Sequence, residues 1–275
     1  MKTHRKLKFI TFVLMKTKLF ILLFFIVSIS SSQEIETKFI STTPLHADTF
    51  IGVDEFDHIY YLKNNVLFKK SENDNINYSN VQLGKITSVN IQNPFKIVLF
   101  YKDFNSVIIL DNKLNELTNR IDLTKETLFN NVELVSISSE NDLWLYASDT
   151  KLYLYDYKNH FVKLQTQPMN FYHNGLEPKL IKSTYKNVWL IATDGVIQFN
   201  EYGNYIEFFK QKEITKFFPL KKRLVYCMDS SFYLLENNLS FPILLEYKKT
   251  MKDIYVNNTS IYIYDGSDIH KFNFL

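Results

Sequence analysis

An internal repeat is the sequence feature that most constrains the fold of this chain. A short apolar strand recurs at intervals of 36 to 46 residues, and its copies begin at Ile59, Ile97, Leu143, Val188, Leu224 and Ile261. Each copy is followed by a turn residue, Asp or Asn, and by a second alternating strand, as in LWLYASDTKLYLYD and VWLIATDGVIQFN. Units of this length and pattern are typical of β-propeller blades, which bury their faces only by packing against one another.

The segment before the first repeat predicts how the ring of blades closes. Residues 35–44, IETKFISTTP, read as a strand without a partner, and the last unit lacks an outer strand. An open stack would leave strand edges exposed to aggregation. The sequence therefore predicts an all-β fold: a six-bladed β-propeller over residues 33–275, closed by an N-terminal strand in which residues 35–41 pair with residues 269–274.

The repeated Asp and Trp residues are better explained by structure than by chemistry. Asp and Asn after each strand tolerate the backbone of tight turns, as in the pairs at 64–65, 130–131, 237–238 and 257–258. Trp144 and Trp189 occupy equivalent positions in apolar strands, which favours core packing over an exposed sugar-binding role. Metal coordination by Asp and Asn side chains from several blades stays open as an alternative.

Residues 1–32 have the composition of a secretory signal peptide. They contain six basic side chains and no acidic one, followed by the apolar run LFILLFFIVSI and small residues before Gln33. The run is shorter than the roughly 20 residues of a membrane span. We expect cleavage near Gln33 and no integral span in the mature chain. The alternative is a signal anchor that begins at Phe9. Translation from Met15 would give a shorter and more typical signal peptide with the same cleavage site.

Removing this segment reverses the sign of the net charge. The whole chain has 32 basic and 29 acidic residues, but without residues 1–32 it has 26 and 29, a net charge of −3. Nucleic-acid binding thereby loses its electrostatic support. The single cysteine, Cys227, allows no intramolecular disulfide. We expect a periplasmic or exported protein without a nucleic-acid partner.

The sequence contains none of the short motifs that mark common active sites. The six histidines form no HxH or HxxxH pair, Cys227 has no CxxC partner, and GxSxG, GxGxxG and GxxxxGKS are absent. We therefore expect no enzymatic activity, no metal and no cofactor. Propeller active sites are assembled from dispersed residues, so an exported hydrolase or lyase acting on carbohydrate is the alternative.

The insertion at residues 165–179, QTQPMNFYHNGLEPK, is the predicted site of partner binding. Its two prolines and one glycine predict a loop. Large side chains are so closely spaced in it that strand alternation cannot bury them all. Because loops on a rigid scaffold carry binding residues, we predict partner contacts at Met169, Phe171, Tyr172 and His173. Burial of the same side chains against the blade is the alternative.

The repeats also carry a family resemblance. VWLIATDGVIQFNEYGN resembles the IWxGTDxGLxRY-type repeat of two-component regulator sensor propellers, and LWLYASDTKLYLYDYKN resembles it with the glycine replaced. Those sensors continue into a membrane span and a kinase, which we do not expect here. The Asn/Lys/Ile/Phe-rich usage and the signal ending SSSQE look like an exported propeller of Bacteroidetes, similar to Plug, the periplasmic subunit of the type 9 secretion translocon. This resemblance implies a non-enzymatic protein that binds an envelope complex and closes the periplasmic side of an outer-membrane translocon.

Overall fold

The described part of the chain consists mainly of strands and tight turns, which confirms the all-β prediction. The computed structural model describes residues 34–125, 131–140, 142–220, 223–236 and 239–275. The predicted signal peptide and the turn residues Asn130, Asn237 and Asn238 lie outside these ranges. The described helical segments are α1 (Met169–Tyr172) and 3-10 turns at Val81–Leu83, Lys102–Phe104 and Leu123–Lys125. No helix in this part of the chain has the length and apolar character to cross a bilayer.

After the first strand, β1 (Ile35–Pro44), the strands follow one another in units of neighbouring antiparallel strands. Unit 1 contains β2 (Thr49–Val53), β3 (Ile59–Lys63), β4 (Val66–Lys70) and β5 (Asn75–Tyr78). Unit 2 contains β6 (Ser88–Asn90), β7 (Ile97–Tyr101), β8 (Ser106–Leu110) and β9 (Ile121–Asp122). Unit 3 contains β10 (Val132–Ile137), β11 (Leu143–Ala147), β12 (Leu152–Asp156) and β13 (Phe161–Gln165).

The second half of the chain repeats this arrangement. Unit 4 contains β14 (Pro178–Ser183), β15 (Asn187–Ala192), β16 (Val196–Asn200) and β17 (Tyr205–Phe209). Unit 5 contains β18 (Lys216–Pro219), β19 (Leu224–Met228), β20 (Ser231–Glu236) and β21 (Leu239–Leu244). Unit 6 contains β22 (Asp253–Val256), β23 (Ser260–Tyr264) and β24 (Asp268–Phe274). Units 1 to 4 are separate four-stranded sheets, whereas units 5 and 6 form one eight-stranded sheet through β1.

The N-terminal strand β1 supplies the fourth strand of unit 6. It pairs antiparallel with β24, from Thr37 opposite Phe274 to Pro44 opposite Asp268, with a bulge at Ile40. The predicted pairing of the N-terminal segment with the final strand is therefore observed, and it extends to Pro44. The first two residues of β1 also pair in parallel with β21, which the sequence did not predict.

The hydrophobic core of the described residues consists of six clusters, each between two consecutive units. The cluster between units 3 and 4 contains Trp144, and the cluster between units 4 and 5 contains Trp189, so both tryptophans pack in the core as predicted. The cluster between units 6 and 1 joins Phe50 to Tyr264. Burying one such side chain contributes about 1.5–3 kcal/mol, so the interfaces between units supply most of the folding energy.

Asp and Asn residues shape several turns, as the sequence predicted. Asn64 and Asn65 both have positive φ angles, 51° and 60°, which suit a two-residue hairpin turn. Asp265 accepts hydrogen bonds from the backbone N–H groups of Ser267 and Asp268 with one carboxylate oxygen. Its other oxygen accepts from Nε2 of His270, whose Nδ1 lies 3.1 Å from the hydroxyl of Thr42 in β1.

Units 1 and 6 approach so closely that only glycine fits at position 52. A Cβ atom there would lie 2.4 Å from Cδ2 of Tyr255 in β22, and the φ angle of Gly52 is 154°. Two hydrogen bonds reinforce the contact: the N–H of Phe50 donates to Asp253 and the hydroxyl of Tyr264 donates to the carbonyl of Ala47, each at 2.9 Å.

We expect Gly52→Ala to lower the free energy of unfolding by about 1–3 kcal/mol, because the added methyl group would collide with the ring of Tyr255. Urea denaturation measures the change. In a Tyr255→Ala background, Gly52→Ala should cost less, since the ring is gone and only the backbone preference remains. Equal costs in the two backgrounds would show that the ring does not set the cost.

Deleting residues 33–42 should lower the free energy of unfolding by an amount on the order of 3–5 kcal/mol, because β24 loses its partner and becomes an exposed edge. Thermal melting of the mature chain and the deletion variant tests this. Ile40→Ala is the control, since Ile40 is the exposed bulge residue and its truncation should change stability by about 0.5 kcal/mol or less. An unaltered melt after the deletion would contradict a structural role for β1.

Candidate functional site

The order of the strands divides the turns between two faces. Because consecutive strands in a unit are antiparallel, the turn between its first and second strands lies at one end and the next turn lies at the other. We call the face with the first-to-second turns the front face. The back face carries the second-to-third turns and the connections between units.

A central cavity of about 950 Å³ opens on the front face. Its walls come from the first strands of five units, represented by Ile51, Val89, Lys182, Phe217 and Tyr255. The front turns of the same five units form its mouth. Because five units contribute, the cavity exists only in the assembled fold.

Polar side chains tie the first strands of units 2, 3 and 4 together beside this cavity. Asn90, which lines it, donates through Nδ2 to the hydroxyl of Ser136 at 3.0 Å. The hydroxyl of Ser136 is 2.7 Å from that of Ser183, and Ser183 also reaches Oε1 of Gln92 at 3.3 Å. Both serines are buried, so this network satisfies polar groups that would otherwise be costly to bury.

The carboxylates that line the cavity all come from one turn, residues 54–57 of unit 1. Asp54 is buried and accepts from the N–H groups of Phe56 and His58, from the His58 ring and from the Tyr60 hydroxyl. Burial, followed by the charge of Asp54, raises the pKa of Tyr60 well above its usual value. Asp57 pairs with Lys271 at 3.4 Å. Asp54 is thus held by its neighbours, whereas Glu55 is exposed. Because all three carboxylates come from one turn, none of them faces a second carboxylate across the cavity.

Lys182 of β14 supplies a positive charge inside the cavity. Its side chain is partly accessible from the cavity and otherwise enclosed by protein atoms. Desolvation, followed by the charge of Lys216, lowers the pKa of Lys182 to about 8. Within the described part of the chain, no carboxylate lies within ion-pair distance of its ammonium group.

Exposed aromatic side chains lie in three of the five front turns that form the mouth of the cavity. Phe56 and Phe95, from the front turns of units 1 and 2, are each 53% exposed and contact one another edge to face at 5.9 Å. Tyr185, from the front turn of unit 4, lines the mouth and is 75% exposed. Exposed aromatics beside a cavity are typical of binding surfaces. We call these three residues the aromatic rim.

The predicted binding loop lies on the back face, away from the cavity mouth. Its irregular part spans residues 166–177 and includes the helix α1, while residues 165, 178 and 179 belong to strands. Met169 is fully buried in the cluster between units 3 and 4. Phe171 is 75% exposed.

The other two predicted residues brace the loop against unit 4. Tyr172 stacks on Tyr205 at 5.5 Å, and its hydroxyl accepts from the N–H of Gln167. His173 stacks on Phe208 at 3.9 Å and lies 3.0 Å from the carboxylate of Asp194. Of the four residues, only Phe171 exposes most of its side chain to solvent.

A second depression, of about 550 Å³, lies around the 3-10 turn at Lys102–Phe104. Four of its charged side chains are used in two ion pairs, Lys102 with Glu133 and Arg120 with Asp122. Among its described lining residues there is therefore no unpaired lysine or arginine comparable to Lys182 of the central cavity.

No group of three or more His, Cys, Asp or Glu side chains among the described residues is arranged to hold a metal ion. Cys227 is buried, and this burial raises the pKa of its thiol. The groups that the cavity offers to a ligand are the ammonium groups of Lys182 and Lys186, which no described carboxylate pairs, several amides and the aromatic rim.

Sequence reasoning missed the front face because its residues lie in separate turns. Phe56, Phe95 and Tyr185 belong to three different units and become neighbours of one cavity only through the fold. One signal was available: each follows the first, innermost strand of its unit, where propellers present side chains to their central opening.

Comparisons of sequence found no similar family: no protein-family model matches the chain, and no curated protein sequence matches it. Comparisons of structure did find similar proteins. A catalytically inactive virginiamycin B lyase from Staphylococcus aureus, with quinupristin, is 11% identical with a TM-score of 0.55; the match covers 86% of this chain and 100% of that one. The Pan2 WD40 domain of Neurospora crassa is 7% identical with a TM-score of 0.55, over 82% of this chain and 74% of that one.

A component of a secretion system is also similar. PorZ, an essential bacterial surface component of the type-IX secretion system of Porphyromonas gingivalis, is 14% identical with a TM-score of 0.50. The match covers 82% of this chain and 32% of that one, so this chain spans about a third of PorZ. At such low identities the likeness concerns the fold alone, and the fold of this chain is that of the β-propellers.

Proposed function

We propose that the mature protein is a non-enzymatic, exported, protein-binding β-propeller of six blades, closed by its N-terminal strand. The observation that carries the proposal is the aromatic rim around the central cavity. Aromatic side chains contribute a large share of the binding energy at protein interfaces and are enriched there. A rigid ring that holds them around one opening loses little entropy when a partner binds.

The sharper form of the proposal is that the partner is an outer-membrane translocon of type 9 secretion, which the protein gates from the periplasmic side. Two observations favour it: the resemblance of the exported chain to the Plug family, and the propeller fold shared with PorZ over 82% of the chain. The protein would then reside in the periplasm, attached to the outer membrane through its partner.

An exported hydrolase or lyase acting on carbohydrate is the alternative, since one similar propeller is a lyase. Glycoside hydrolysis typically needs two carboxyl groups on opposite sides of the scissile bond. The carboxylates that line the central cavity come from one turn, and Asp54 is already held by four hydrogen bonds. The arrangement therefore favours binding over this chemistry.

Phe171 offers a second, separate contact on the back face. A protein that gates a translocon needs one face for the barrel and can use the other for another subunit. We propose the aromatic rim as the main docking surface and Phe171 as the accessory contact.

We expect Phe95→Ala with Tyr185→Ala to reduce recovery of an outer-membrane barrel by tenfold or more when the tagged mature protein is pulled down from envelope extracts, because truncating one interface aromatic costs roughly 2 kcal/mol or more. Quantitative mass spectrometry of the captured proteins measures the effect. Phe171→Ala should have a smaller effect.

Tyr202→Ala is the matched control for this experiment. Tyr202 belongs to the same unit and face as Tyr185 and is 70% exposed, but it lies in an outer turn and does not line the cavity. Its truncation should leave capture intact. If the rim variant melts normally and still captures as much partner as the control, the front face is not the docking surface.

We also propose that export removes residues 1–32. The intact mass of protein recovered from the periplasmic fraction should correspond to a chain that begins at or near Gln33, because the basic, apolar and small-residue segments occur in the order that signal peptidase requires. A membrane-bound product that keeps the mass of residues 1–32 would favour the signal anchor instead.

A further inference from the structure

We propose that the central cavity binds a carboxylate-bearing ligand, the carboxyl end of a peptide or an acidic side chain, through the ammonium group of Lys182. This inference deepens the proposed function, since it assigns the chemistry of the group that a docked partner inserts past the aromatic rim. It rests on the position of Lys182, on the lack of a counter-charge and on the polar groups around it.

The position of Lys182 is unusual for a structural lysine. Surface lysines extend their charge into solvent, but Lys182 lies on the innermost strand of unit 4 and lines the cavity. Apolar or aromatic residues such as Ile51, Val89 and Phe217 occupy the cavity wall on neighbouring units. A lysine there is therefore not needed to fill space.

The ammonium group of Lys182 has no carboxylate partner among the described residues. The charge that acts on Lys182 is the like charge of Lys216. Of the three lining carboxylates, Asp54 is engaged within unit 1, Asp57 pairs with Lys271, and Glu55 is exposed and not within ion-pair distance of Lys182. An ammonium group that no described carboxylate pairs leaves hydrogen-bond donors unused, which an oxygen anion in the cavity would satisfy.

A carboxylate fits the remaining geometry. One ammonium group, with an amide such as that of Asn187 in the same cavity lining, matches a singly charged group that accepts several hydrogen bonds. The cavity, at about 950 Å³, has room for a few residues of an extended peptide. The aromatic rim would hold the apolar part of the same segment outside.

Binding should depend on pH. The ionisable groups that face the cavity or lie beside Lys182 are Asp54, Glu55, Asp57, Lys186, Lys216, Lys271, Tyr185, Tyr255 and Tyr262. Because the pKa of Lys182 is about 8, its charge is present at pH 7 and lost as the pH rises further. Affinity for a carboxylate should then fall about tenfold between pH 7 and pH 9.

The test is an NMR titration of the purified mature protein with N-acetyl-phenylalanyl-alanine, which has a free carboxylate, and with its C-terminal amide. We expect the acid to bind and the amide to bind at least tenfold more weakly. N-acetyl-aspartyl-phenylalanine amide, which carries its carboxylate on a side chain, distinguishes an acidic side chain from a chain terminus. Inorganic phosphate is the fourth probe, and binding of phosphate without binding of either carboxylate would overturn the assignment.

Substitutions at position 182 provide the decisive comparison. Lys182→Met should weaken binding of the acid about ten- to hundredfold, as expected for a lost hydrogen bond to a charged group. Lys182→Arg should retain binding and lose the pH dependence, because a guanidinium group stays charged. Lys212→Met, at an exposed lysine that does not line the cavity, is the matched control and should change affinity by about threefold or less.

Equal binding of the acid and the amide, or wild-type affinity in Lys182→Met, would overturn the inference. Failure of either proposal can be told from failure of the other. If the titration shows no carboxylate binding but the pull-down still depends on the aromatic rim, only the proposed role of Lys182 is wrong. If carboxylates bind but the pull-down does not depend on the aromatic rim, the rim is not the docking surface and the cavity is a site for small ligands.

Discussion

Burial between neighbouring sheets is the constraint on which the rest of the structure depends. The second and third strands of units 2 and 3 are buried at every residue, so each of these sheets must be covered on both faces. No single-layer sheet can do this alone, and the clusters between consecutive units meet the requirement. One consequence concerns function: since the faces of these inner strands are occupied, partners and ligands can reach only the turns, the central cavity and the exposed outer strands such as β13 and β17.

The sequence predicted the parts of the fold that follow from burial. The second and third strands repeat as apolar runs because both of their faces are covered, and β1 was recognisable as a strand without a partner. The first strands were harder to predict, since Ser88–Asn90 is short and polar where it meets the cavity. The parallel pairing of β1 with β21 could not be predicted either, because it depends on how units 5 and 6 meet in space.

For the candidate site, too, the sequence predicted features within one segment but not contacts between segments that are far apart in the chain. Crowding of large side chains in the loop after β13 indicated that one of them must be exposed, and Phe171 is. Sequence could not show that Met169 fills the core or that Tyr172 and His173 stack on unit 4, because those contacts involve residues far along the chain. The aromatic rim is more strongly non-local still, since no two of its members share a unit.

At position 182 the side chain that stability favours differs from the side chain that ligand binding favours. Folding alone favours an apolar or hydroxyl side chain at this position, since desolvation of the ammonium group and repulsion by Lys216 both oppose its charge. Asp54, also buried in the cavity wall, shows the contrasting solution, a charge that its own neighbours satisfy completely. The charge of Asp54 is thus satisfied within the protein, whereas that of Lys182 has no described anionic partner. A bound carboxylate would supply the missing partner at Lys182. Local rules of stability are most often broken at functional sites, and Lys182 breaks one at the centre of the molecule.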